Sequence, residues 1–98
     1  MIDTIPGVTT IGGIAFDDVT FDREGDVLYL WAGAPHKPDS DDASPAGHYI
    51  QFGKHGEVIA FTIENARRIL EREGKIVVTL PDGSRLEATG LEAVLPAA

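Results

Sequence analysis

The sequence contains no cysteine, which excludes disulfide bonds, thiolate zinc sites and thiol nucleophiles. Long hydrophobic runs are also absent: the longest, 58–63, contains a threonine and is far shorter than the roughly 20 residues that span a bilayer. The first residues lack the basic start and apolar core of a signal peptide. We therefore predict a cytoplasmic protein without membrane association.

Basic residues are scarce. Eight Lys and Arg stand against sixteen Asp and Glu, giving a formal net charge of -8. Nucleic acids and anionic membranes attract positively charged surfaces, so neither is expected as a partner. The length of 98 residues and the 43% hydrophobic content predict a single domain, 1–98, with a modest core. Because a core of that size gives limited stability, a partner can add to it, and the acidic charge favours a basic protein as that partner.

One local pattern occurs twice. Phe-Asp-Arg-Glu-Gly-Asp-Val-Leu at 21–28 returns as Phe-Gly-Lys-His-Gly-Glu-Val-Ile at 52–59. In each copy a strand ends on phenylalanine, and a glycine, Gly25 or Gly56, can supply the positive φ of a tight turn. The pattern therefore predicts two β-hairpins.

The remaining periodicity predicts an α+β fold, an antiparallel sheet built from consecutive β-hairpins with one helix. The predicted strands are about 19–22, 27–32, 48–52, 57–63, 75–80 and 84–89. The helix is predicted at about 65–73, because Ala66, Ile69 and Leu70 recur with helical spacing. Asn65 is the expected N-cap, and Gly74 the expected C-terminal stop.

Three segments lie outside this pattern. Residues 1–12 are predicted to form an extended arm, with at most one short strand near 13–16. Residues 33–47 contain three prolines and several aspartates, which predicts a mobile acidic loop. Residues 81–83, Pro-Asp-Gly, predict a type I turn, whereas 91–95 suit either a helical turn or a last strand.

The strand at 27–32 is apolar on both faces. One face contains Leu28 and Leu30, which we expect to be buried with Ile59 and Phe61 beneath the helix. The other face contains a candidate interaction surface of three aromatic residues: Tyr29, Trp31 and Tyr49. One short helix cannot cover both faces, so the second face is covered by the C-terminal hairpin, covered by another subunit, or open to a ligand.

The stretch from about Val19 to Leu70 resembles the bacterial family known as domain of unknown function 2283. The resemblance rests on Phe-Asp-Arg-Glu-Gly-Asp-Val-Leu-Tyr-Leu at 21–30 and Gly-Glu-Val-Ile-Ala-Phe-Thr-Ile-Glu-Asn-Ala at 56–66. It implies a compact antiparallel sheet with a helix and no established activity. Members that lie beside toxin-like genes suggest an antitoxin-like or partner-binding role. The acidic loop and the hairpin after Gly74 depart from the family pattern.

Two acids match that family pattern, Asp26 and Glu64. A catalytic interpretation pairs their carboxylates for general acid–base chemistry in a small hydrolase-like enzyme. A structural interpretation has Asp26 accepting backbone N–H groups in its turn and Glu64 placed favourably beside a helix N-terminus. We favour the structural interpretation and expect the two carboxylates to lie apart.

The other polar clusters are better explained as solvated surface than as metal-binding or ligand-binding sites. Three histidines and three aspartates could in principle share a metal ion: His36, His48, His55, Asp39, Asp41 and Asp42. Their spacing matches no metal motif, so a solvated acidic loop is favoured and no metal or cofactor is predicted. Arg67, Arg68 and Arg72 form a basic helix face, which i,i+4 pairing with glutamates explains as a solvated surface. The leading hypothesis is a non-enzymatic interaction module, either a homodimer or an antitoxin-like partner of a basic protein.

Overall fold

The computed structural model describes residues 2–5, 9–33, 37–43, 48–80 and 84–89. These residues form strands and one helix in the order β1 (Ile2–Ile5), β2 (Thr9–Ile11), β3 (Ile14–Phe16), β4 (Asp18–Asp22), β5 (Val27–Trp31), β6 (Ser40–Ala43), β7 (Tyr49–Phe52), β8 (Val58–Glu64), α1 (Ala66–Glu73), β9 (Ile76–Thr79) and β10 (Arg85–Thr89). Every strand pair is antiparallel. The predicted α+β fold of β-hairpins with one helix is confirmed.

The strands form two sheets. A six-stranded sheet has the order β1-β4-β5-β8-β7-β6, and a four-stranded sheet has the order β3-β2-β10-β9. The two hairpins of the repeated pattern, β4–β5 and β7–β8, lie side by side in the larger sheet because β5 also pairs with β8. The third predicted hairpin, β9–β10, belongs to the smaller sheet.

The core lies between the two sheets. We call the face of the six-stranded sheet that contains Leu28, Leu30 and Phe61 the inner face; all three are essentially inaccessible, as predicted. Phe61 meets Phe16 of β3 edge-to-face, with ring centroids 5.5 Å apart and planes at 62°. This contact joins the two sheets directly.

The helix was expected to be the main cover of that core, but the four-stranded sheet supplies most of it. Ile11, Ile76 and Val78 are fully buried in the same cluster. In α1 only Ala66 is buried, while Ile69 and Leu70 pack against the cluster half-buried. An eight-residue helix presents too little apolar surface to seal a sheet of this width.

The predicted arm and loop both contain strands. Instead of at most one strand in 1–18, the structure has β1 and β2 in addition to β3, because β1 pairs with β4 and β2 pairs with β10. Residues 40–43, within the predicted loop, form β6 by pairing with β7. The partner of β1 is distant in sequence and β6 supplies only an edge, so the local pattern gives no sign of these two strands. β2, however, also forms a tight hairpin with β3 around Gly12 and Gly13, both at positive φ, and this local signal was overlooked. The mobility of the rest of 33–47 stays a prediction, since 34–36 and 44–47 lie outside the described residues.

The two copies of the hairpin pattern use different residues for the left-handed position. Gly56 has a φ of 78°, as predicted, but in the first hairpin the positive φ of 56° belongs to Asp26, not Gly25. There Asp22 accepts the N–H groups of Glu24 and Gly25 at 3.1 and 3.3 Å, which fixes the turn before Asp26. The expectation for Gly25 was wrong. The predicted turn at 81–83 and the segment 91–95 lie outside the described residues.

Ile59 differs from its predicted companions. It is buried but lies outside the cluster that contains Phe61 and Ile63. A bulge displaces the register there, so that Phe52 is opposite Val58 while Gln51 is opposite Ala60. Val58 packs against the core in its place.

Candidate interaction surface

The second face of the six-stranded sheet, which we call the outer face, holds the three predicted aromatic residues. The register aligns one cross-strand row as Thr20, Tyr29, Thr62, Tyr49 and Ala43. The next row is Asp18, Trp31, Ala60, Gln51 and Asp41. With neighbouring strands about 4.8 Å apart, Tyr29 and Tyr49 stand roughly 10 Å apart on either side of Thr62. The structure thus brings together the residues that the sequence placed on one face.

We call Tyr29, Trp31 and Tyr49 the aromatic strip. Tyr49 is 39% exposed, whereas Tyr29 and Trp31 are half-buried. Ala60, between Trp31 and Gln51 in its row, is only 1% exposed because two larger side chains flank its methyl group. The small residues Ala60 and Thr62 of β8 thus lie beside the aromatic rings of the strip.

The outer face is strongly acidic. Alternation along the strands places four carboxylates on it: Asp18, Asp22, Asp41 and Glu64. Among the described residues of this face there is no lysine or arginine. Sequence reasoning missed this cluster, although the alternation of Asp18 and Asp22 with buried Val19 and Phe21 was a readable signal. Asp41 could not be found in that way because β6 itself was not predicted.

One acid is directly coupled to the strip. Asp41 accepts a hydrogen bond from the Tyr49 hydroxyl, which raises the pKa of Tyr49 above its ordinary value of 10.0; desolvation and the negative charge of Asp41 act in the same direction. The two residues are diagonal neighbours on β6 and β7, since Asp41 is opposite Gln51 and Ala43 is opposite Tyr49. The negative charge of the outer face thus reaches the Tyr49 end of the aromatic strip.

The C-terminal hairpin does not cover the outer face. Ile76 and Val78 of β9 and Ala88 of β10 all join the core cluster on the inner side. The helix also packs there, through Ala66 and Ile69. Within the described parts of the chain, no strand or helix lies on the outer face, which removes the first of the three predicted alternatives for its cover.

Asp26 has a structural role that its position in sequence does not reveal. Its Oδ1 accepts the N–H of Arg67 at 2.8 Å and its Oδ2 accepts that of Arg68 at 3.2 Å. Its backbone carbonyl accepts the N–H of Ala66 at 3.2 Å. Asp26 therefore caps α1 from the β4–β5 turn, with its negative charge at the positive end of the helix.

Asn65 was predicted to provide that cap, and this prediction was wrong. Asn65 adopts a left-handed conformation, φ 58° and ψ 34°, and makes no capping hydrogen bond with its side chain. Asp26 was expected to accept N–H groups of its own turn, but both of its oxygens bind N–H groups of the helix instead. A structural role is therefore favoured over catalysis, with different donors from those predicted. Glu64 lies exposed at the end of β8, opposite Val27.

The histidines occupy separate environments. His48 is buried, and its Nδ1 accepts the N–H of Thr79 at 3.2 Å, which links the start of β7 to β9; burial lowers its pKa. His55 is exposed in the β7–β8 turn. His36 lies outside the described residues. No group of three or more metal-binding side chains occurs within the described ranges.

The basic helix face is partly neutralised by neighbouring acids. Arg67 pairs with Glu71 at 2.7 Å, the i,i+4 pair expected from the sequence. Arg72 pairs with Glu73 at 3.0 Å in a well-exposed position. This agrees with the interpretation of α1 as a solvated surface on its polar side.

Comparison with known proteins identified no similar protein. No family model, curated protein or solved structure matches the chain. The resemblance to domain of unknown function 2283 therefore stays a prediction from the sequence. Within the described ranges, no helix has the length and apolar character needed to cross a membrane.

Proposed function

We propose that this protein is a non-enzymatic interaction module whose outer face binds a basic protein. The observation that supports it is the composition of that face, where Asp18, Asp22, Asp41 and Glu64 surround the aromatic strip without a basic residue among the described positions. A partner with a complementary positive surface is both attracted at long range and held in register by such a face.

The same face offers two kinds of contact to an arginine or lysine side chain. Aromatic rings attract cations over their faces, and Tyr29, Trp31 and Tyr49 provide three of them. Carboxylates form charge-assisted hydrogen bonds with guanidinium groups, often with two parallel bonds. Thr62 of β8 is partly exposed between Tyr29 and Tyr49, so an extended basic segment lying along β8 would contact both rings.

A basic partner suits this surface better than a second copy of the chain. Two-fold pairing through the outer face would set the carboxylates of one copy against those of the other, and like charges across an interface are costly. The homodimer predicted from the sequence is therefore the competing occupant of the same face. Low salt would weaken this homodimer, whereas it would strengthen binding to a basic partner.

In its biological role, the proposed protein is an antitoxin-like partner of a basic protein in the bacterial cytoplasm. Its support is the resemblance to domain of unknown function 2283 together with the net charge of -8. A hydrolase-like activity of Asp26 and Glu64 has no comparable support, because the Asp26 carboxylate binds two helix N–H groups. The product of the neighbouring gene is the partner to examine first.

The proposal is tested by calorimetric titration of the chain with an oligoarginine peptide at low and physiological salt. Asp41 and Asp42 provide a matched pair of variants, since they are consecutive in β6 and their side chains point to opposite faces. We expect Asp41→Asn to weaken binding about threefold to tenfold, as for removal of one charge-assisted contact, and Asp42→Asn to change it much less.

Three results would overturn the proposal. These are no binding at low salt, equal weakening by Asp41→Asn and Asp42→Asn, and a stable dimer in sedimentation whose formation buries Trp31. The third would assign the outer face to a second copy of the chain.

A further inference from the structure

A cavity of about 230 Å³ lies away from the outer face, between α1 and the four-stranded sheet. Its walls include Arg72 and Glu73 from α1, Val77 and Thr79 from β9, Arg85 from β10, and His48. It is smaller than sites for drug-sized ligands, which occupy roughly 300–1,000 Å³. Its size suits a small ligand with few atoms.

The register explains why these side chains converge. Arg85 is directly opposite Thr79, and Val77 is two residues further along β9, so all three project from the same face of the sheet. The neighbouring helix brings Arg72 to this face from the side. His48 is held beside Thr79 by the hydrogen bond from the Thr79 N–H to its Nδ1.

The cavity differs from the rest of the protein in charge. Two of the eight basic residues of an acidic chain meet there, against one carboxylate. Within the described residues Arg85 forms no ion pair, and the pair of Arg72 with Glu73 is exposed, with side chains 67% and 50% accessible. An exposed pair of this kind contributes little, so Arg72 can turn towards a bound anion at small cost.

The geometry points to a binding site for a small oxyanion, with the guanidinium groups of Arg85 and Arg72 as its cationic ligands and the Thr79 hydroxyl as a neutral donor. Guanidinium groups match phosphate and carboxylate through paired N–H donors. The site is independent of the proposed protein-binding face, because it lies on the other sheet and uses no residue of the aromatic strip.

Titration of the full chain with inorganic phosphate and with acetate, followed by NMR at constant ionic strength, tests the site. The amide signals of Val77 and Thr79 and the side-chain signals of Arg72 and Arg85 should shift together and saturate. Tighter saturation by phosphate would identify the ligand class as a phosphate, and tighter saturation by acetate as a carboxylate. Either supports the site.

Variants separate the site from general charge effects. Arg85→Gln and Arg72→Gln should each weaken binding about fivefold, since each removes a charge-assisted contact. Arg68→Gln makes the same charge change in α1 outside the cavity, and it should leave binding unchanged. Linear, unsaturable shifts, or equal weakening by Arg68→Gln, would contradict the site, provided that each variant keeps the wild-type spread of amide signals.

Discussion

The two faces of the six-stranded sheet are built from the same strands and differ in almost every property. On the inner face, Leu28, Leu30, Phe61 and Ile63 are sealed by a second sheet and a helix. On the outer face, aromatic rings stand beside four carboxylates, and no described element covers them. Strand alternation separates residues one position apart into a core that stabilises the fold and an outer face that no described element covers.

The largest expected effect concerns the inner face. Phe61→Ala removes a fully buried ring and its contact with Phe16, and should lower the free energy of unfolding by about 3–5 kcal/mol. Trp31→Ala, the matched change on the outer face, removes a half-buried ring and should cost only about 1–2 kcal/mol. Chemical denaturation measures both. An equal cost would mean that the outer face is also core.

A smaller effect is expected where the hairpin holds the helix. Asp26→Ala removes the carboxylate that accepts the N–H groups of Arg67 and Arg68, and should destabilise the protein by about 1–2 kcal/mol. Asn65→Ala should cost far less, because the Asn65 side chain makes no capping bond. Reversal of this order in denaturation experiments would restore Asn65 as the cap.

The next effect depends on pH and concerns His48, which links the two sheets. Burial lowers its folded-state pKa below the ordinary 6.5, so below pH 6.5 the unfolded chain binds a proton that the folded chain resists. The contribution of His48 is therefore complete above pH 6.5 and is lost as the pH falls through its folded-state pKa. Denaturation midpoints should drop over this window more steeply in wild type than in His48→Gln. The exposed His55→Gln should behave as wild type.

The smallest effect concerns the edge of the outer face. Because the hydrogen bond to Asp41 raises the pKa of Tyr49, Asp41→Asn should bring that pKa back towards 10.0. Asp42→Asn, which alters the opposite face of the same strand, should leave it nearly unchanged. Ultraviolet titration of tyrosine ionisation distinguishes the two. Equal shifts would show that Tyr49 senses only the general charge of β6.

Local sequence pattern was sufficient for the hairpins β4–β5 and β7–β8 and for α1, whose bounds agree within about a residue at each end. It failed where the formation of a strand depends on pairing with a segment distant in sequence. Strand β1 exists because it completes the edge of the larger sheet, and β6 has the composition of a loop. Strand β2 had a local signal that was overlooked, since it forms a two-residue hairpin with β3 around Gly12 and Gly13. The cap of α1 comes from the carboxylate of Asp26, 41 residues before Arg67, and no spacing rule within a helix can find it.

The candidate surface was found only in part, for the same reason. Alternation in β5 placed Tyr29 and Trp31 on one face, and the pairing of β7 with β8 then added Tyr49. The acids beside them come from β4, β6 and β8, and they meet only when the strand order is known. The cavity beside Arg85 depends on the packing of α1 beside β9 and β10, which are paired in one sheet, and it had no signal in the sequence.

The most direct test of the outer face as a binding surface is NMR mapping during titration with the oligoarginine peptide. Trp31 is the only tryptophan, so its indole signal reports this face without ambiguity. We predict that the signals of the Trp31 indole and of the Thr62 and Tyr49 amides shift with one common midpoint, while the amide signals of Val78 and Ala88 in the four-stranded sheet stay unchanged. Binding that leaves the Trp31 signal in place, with shifts concentrated elsewhere, would contradict it.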